Sequence, residues 1–151
     1  MAQGDGVVRM GKGAAGAAPQ RQTSASAGPA DETTEARIVE VLRELQQVTA
    51  DVYGGALVSP DGLTIAHTLR SDEAPSAAAM AAAALTLGQR VAATLETGAL
   101  SEMSIKGSGR RVLLFGVEAK GVLRVEMAAE GNFGLVVLES GRIVKKLAEL
   151  L

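Results

Sequence analysis

Ile38, Val41, Leu42, Leu45 and Val48 recur at spacings of three and four, so they fall on one stripe of a helix whose other side is polar. Asp31, Glu32, Thr33, Thr34 and Glu35 stand just ahead, where capping oxygens and negative charge favour a helix start. The pattern predicts a first helix over about 33 to 50. It then changes to short apolar runs, Ala56-Leu57-Val58 and Leu63-Thr64-Ile65-Ala66, separated by Ser59-Pro60-Asp61-Gly62. In that turn the proline presets φ, Asp61 is able to bond its own backbone, and Gly62 accepts φ above zero. A β-hairpin follows, and then a loop, Leu69 to Pro75, whose Asp72 and Pro75 suit a second helix start. That helix runs to about Leu95 and ends before Gly98.

Three further strands are predicted, Leu100 to Lys106, Arg110 to Ala119 and Val122 to Ala128, with hairpin loops at Gly107-Ser108-Gly109 and Lys120-Gly121. In the middle one Leu113, Phe115 and Val117 alternate with Val112 and Leu114, so both faces of the sheet are apolar and need covering. Phe133, Val136, Val137, Ile143, Val144, Leu147, Leu150 and Leu151 form the stripe of a last helix, about 133 to 150, although Gly141 costs about 1 kcal/mol against alanine there.

The second helix carries two apolar stripes. At 100° per residue, Met80, Ala84, Leu87, Val91 and Leu95 cluster on one side, which is expected to face the sheet. Ala78, Ala82, Leu85, Gln89 and Ala92 cluster on the other, where small residues would let a second helix approach, as in an isologous dimer contact. The strand from Leu100 to Lys106 alternates Ser101, Met103 and Ile105 with Glu102, Ser104 and Lys106, the pattern of a sheet edge with one wet face.

Residues 1 to 30 are rich in Gly, Ala, Ser, Gln and Pro and nearly lack large apolar side chains, so they are expected to be a disordered tail ahead of a single domain from 31 to 151. The tail carries Arg9, Lys12 and Arg21 against Asp5, leaving twelve basic and sixteen acidic residues, net −4, in the remainder. Neither that charge nor three aromatics, Tyr53, Phe115 and Phe133, suits nucleic-acid binding. The chain has no cysteine and one histidine, His67, which removes thiolate sites and most Ser-His schemes and leaves His67 a structural residue. No cofactor or metal is expected. Without a secretory h-region or a span of about 20 apolar residues, a cytoplasmic protein without membrane contact is expected.

Gly6 to Gly13 reads G-x-x-x-x-G-K-G and Gly11 to Gly16 reads G-x-G-x-x-G. A phosphate loop needs a preceding strand, a hydroxyl where Gly13 stands and a following helix, and this context offers none of them, so both are read as chance products of a glycine-rich tract. Asp72 and Glu73 read as complements of a helix start, and Arg110-Arg111, beside the Gly107-Ser108-Gly109 loop, as either a contact for an acidic partner or simply a solvated strand start, the latter being the commoner case.

At this point the sequence resembles the roadblock/LC7 family over roughly residues 36 to 151. The likeness rests on the run from Gly54 to Ala66, the alanine-rich second helix and Gly131-Asn132-Phe133-Gly134-Leu135-Val136. The resemblance implies an α/β sandwich in the order α-β-β-α-β-β-β-α, a five-stranded antiparallel sheet with helix two on one face and helices one and three on the other. It also implies a homodimer in which the strand bearing Met103 and Ile105 pairs with its own copy. Family members are non-enzymatic modules that bind or regulate small Ras-like GTPases, or dimeric adaptors for motors and signalling complexes. The expectation for this chain is therefore a non-enzymatic GTPase-regulating homodimer, with Arg90, on the flank of helix two, the first arginine to test. The alternatives are a scaffold indifferent to nucleotide state and a small-ligand sensor of the profilin or PAS type.

Overall fold

The computed structural model describes residues 32–70 and 74–151. The tail with its glycine motifs, and the Asp72-Glu73 pair, lie outside the described residues. The elements follow the expected order: α1 (Glu32–Val48), β1 (Val52–Val58), β2 (Thr64–His67), α2 (Pro75–Thr94), β3 (Met103–Lys106), β4 (Arg110–Val117), β5 (Gly121–Ala128) and α3 (Phe133–Leu150). The strands form one antiparallel sheet in the order β2-β1-β5-β4-β3.

Two apolar layers sandwich that sheet. On one face Ile38, Leu42 and Leu45 of α1 and Val136, Ile143 and Leu147 of α3 pack over Leu57, Leu113, Phe115, Leu123 and Val125. Ile38, Leu42 and Leu45 are no more than 1% exposed, and their burial contributes on the order of 5 to 9 kcal/mol to docking α1. On the other face Ala78, Ala81, Ala82 and Leu85 of α2 pack over Val58, Leu114 and Val122. The alternation along β4 is thus satisfied on both sides, Leu113, Phe115 and Val117 to one layer and Val112 and Leu114 to the other.

The hairpin between β1 and β2 closes on the predicted turn. Gly62 sits at φ +88° and its N–H donates to the Ser59 carbonyl at 3.0 Å, a conformation that favours a residue without Cβ. Asp61 does not bond its own backbone; its carboxylate accepts from the Ser59 hydroxyl, whose oxygen in turn accepts from the Leu63 N–H. The first strand begins at Val52 rather than Ala56, because Val52, Gly54 and Gly55 find partners in Met127, Glu126 and Val125 of β5. Long-range pairing here overrides the poor strand preference of two glycines. The third strand is shorter than expected, starting at Met103, and Leu100 instead packs against the α2 layer.

Asn132 caps α3 by accepting from the Leu135 N–H at 3.1 Å. Its own N–H donates to the Asp51 carboxylate at 2.8 Å, which ties the start of α3 to the loop entering β1.

Candidate functional site

A 20-residue helix laid on a sheet buries one face, and the side-chain volumes of the sheet decide which one. Beneath α2 the sheet already presents Val58, Leu114 and Val122, so the helix comes close only by offering small residues. Ala78, Ala81, Ala82, Leu85 and Ala92 accordingly point inward and are at most 8% exposed. Gly88 marks a close approach: a Cβ there would stand 3.1 Å from the Met103 sulfur and 3.2 Å from Leu100 Cδ2. The expected orientation of α2 is therefore inverted. Ala78, Ala82, Leu85 and Ala92 are buried within the protomer and are not a dimer surface, while of the residues expected to face the sheet only Ala84 packs against that layer and Met80, Leu87, Val91 and Leu95 do not.

Those four residues are turned to solvent, at 63%, 57%, 46% and 67% exposure. They recur at spacings of seven, four and four, which makes a continuous stripe along the outer side of α2. Exposed apolar surface gathered in one stripe is a candidate contact surface for another molecule. The volumes carried the signal: small residues fit a face that must approach a filled sheet, and large ones fit a face that must reach a partner.

The remaining predicted site residues lie around this stripe. Gln89 is exposed on the flank of the helix and Met103 is half-buried against the α2 layer. Ile105 sits on the same sheet face, opposite Val112, and is 49% exposed. Both belong to β3, which among the described residues pairs with β4 alone and ends the sheet. An edge of this kind can offer its outer backbone groups to another strand. Arg90 is exposed in a shallow groove of about 390 Å³, shared with Asp61, Gly62, Thr86 and Leu87 at the tip of the hairpin.

Other candidates have structural places. The Leu69 N–H donates to His67 Nδ1 at 3.2 Å, and among the described residues no group of His, Cys, Asp or Glu side chains is arranged to hold a metal ion. Arg110 and Arg111 are more than a solvated strand start. The Arg110 guanidinium lies 4.5 Å over the Tyr53 ring and that of Arg111 lies 4.3 Å over Phe133. No helix among the described residues is long and apolar enough to cross a membrane.

The Roadblock/LC7 domain model matches residues 38–126, from the middle of α1 to the end of β5. The chain belongs to the Roadblock/LC7 family. Solved structures with the same fold include the MglB of Myxococcus xanthus, with a TM-score of 0.70 and 18% identity over 81% of this chain and 92% of that one. A structure described as MglB with a tetrameric arrangement gives 0.71 and 20% over 80% and 92%. The Roadblock/LC7 domain from Streptomyces avermitilis gives 0.67 and 19% over 74% and 94%. No curated protein matches the chain by sequence. This Roadblock/LC7 chain carries α3 beyond the matched stretch, packed on α1 and the sheet and completing the larger apolar layer.

Proposed function

We propose that this chain is a non-enzymatic module that dimerises through the outer side of α2 and the open edge of β3, and that the dimer binds and regulates a small Ras-like GTPase. The observation that carries the reading is the stripe Met80, Leu87, Val91 and Leu95, apolar and exposed beside an unpaired strand edge that bears Ile105. A two-fold axis near β3 would pair that strand with its copy and bring the two α2 stripes together, burying both in one self-complementary interface. Membership of the Roadblock/LC7 family supports a GTPase as the further partner, and the likeness to MglB, including its tetrameric form, supports self-association. Any effect on hydrolysis would come from repositioning the GTPase's own catalytic groups, with Arg90 an exposed arginine that shares a groove with Leu87 of the stripe.

The test is capture of partners from the native lysate by the tagged full chain, once with GDP and once with a non-hydrolysable GTP analogue. Preferential retention of a Ras-like GTPase with the analogue supports the reading, and a hydrolysis assay with Arg90→Ala follows. The same non-GTPase partners in both arms would replace the regulator with a scaffold.

A further inference from the structure

Beyond the N-terminal end of α2, the described residues leave the same sheet face open as a groove of about 820 Å³, inside the range of about 300–1,000 Å³ that ligand clefts occupy. Among the described residues its charged lining is three arginines, Arg70, Arg110 and Arg124, and one carboxylate, Glu126. Glu126 is divided between two of them: Oε1 lies 3.0 Å from Arg110 Nη1 and Oε2 lies 3.1 Å from Arg124 Nη2. These four side chains leave two formal positive charges in excess, in a chain whose net charge is −2. Arg124 is buried and acts as a strut for Glu126, whereas the Arg110 side chain is 60% exposed.

The backbone supplies a second, independent feature. The β1–β5 register slips between Val52 and Gly54, so Tyr53 is an extra residue in a β-bulge, a device that re-aims a side chain. The bulged Tyr53 lines the groove and is 39% exposed, with the Arg110 guanidinium 4.5 Å above its ring. Stacking holds the guanidinium plane, and its five N–H groups are more than one shared carboxylate oxygen can engage.

We propose that this groove docks an acidic peptide segment of a partner protein, with Arg110 and Arg70 receiving its carboxylates and Tyr53 lying along its chain. Charge complementarity selects the occupant, since an arginine fork matches a carboxylate in geometry as well as sign. The groove is separate from the outer side of α2, so the proposal does not depend on self-association.

The test uses the full chain and a fluorescein-labelled hexaglutamate peptide followed by anisotropy, with hexalysine as control and inorganic phosphate as competitor. Hexaglutamate binding that weakens with added salt, about tenfold with Arg110→Gln and several-fold with Arg70→Gln or Tyr53→Ala, is expected, because a hydrogen bond to a charged group is lost in the first case. Hexalysine should not bind, and phosphate should compete only weakly. Absence of hexaglutamate binding, equal titrations of Arg110→Gln, Arg70→Gln and the unaltered chain, or full displacement by phosphate at matched charge overturns it. Far-ultraviolet circular dichroism checks that each variant is folded, and Arg110 and Arg70 are both exposed enough to substitute without disturbing the core.

Discussion

Leu87→Asp tests the proposed dimer contact while leaving the protomer's own packing nearly intact. Leu87 is 57% exposed, so the substitution removes little of the protomer's own packing and costs folding roughly 0.5 kcal/mol, mostly in helix propensity. Its effect on association is larger. Fully burying a leucine is worth about 1.5–3 kcal/mol, and the exposed 57% corresponds to about 0.9 to 1.7 kcal/mol per copy. A two-fold interface uses the residue twice, so the loss is about 1.7 to 3.4 kcal/mol, a weakening of roughly 20- to 300-fold in Kd before the new carboxylates are desolvated. If the proposed dimer forms through this stripe, sedimentation equilibrium over a range of concentrations should show the unaltered chain dimeric and the Leu87→Asp chain monomeric, both with the same far-ultraviolet circular dichroism. Ala82→Arg supplies the opposite signature. Ala82 is 8% exposed beneath the helix, and an arginine there is an overpacked, unpaired charge that should cost folding about 3 kcal/mol or more. A Leu87→Asp chain that stays dimeric, or an Ala82→Arg chain that melts normally as a monomer, would refute the assigned orientation of α2.

Three further substitutions test the local physics by urea unfolding. Gly141→Ala should stabilise the chain by about 0.5–1 kcal/mol, since the site is exposed and helical and an added Cβ meets nothing within 4 Å. Gly62→Ala should destabilise it by about 1–2 kcal/mol, because φ is +88° and the new Cβ would stand 3.1 Å from the Ala79 Cα. Asn132→Ala removes the cap on the Leu135 N–H and should cost about 1 kcal/mol.

The sequence by itself determined what depends on near neighbours. The period of the apolar positions placed α1 and α3, the turn chemistry of Ser59 to Gly62 placed the hairpin, and the double alternation of β4 required a layer on each side of the sheet. Strand ends depended on partners far along the chain, so Val52 to Gly55 became strand only through pairing with β5. The candidate site was legible as a helix with two apolar faces and misread in its orientation. A rule that sends the largest apolar residues inward assumes that all burial happens within one chain. Tertiary packing decided the matter by volume: Leu114, Val122 and Val58 had filled the space, and only the alanine face of α2 could close over them. The sequence offered Arg110-Arg111 as a contact for an acidic partner, but the groove that holds Arg110 beside Tyr53 was beyond it for a related reason. A bulge, a salt bridge shared between strands and the place where a helix stops covering a sheet are properties of register and docking, which no single stretch of the chain contains.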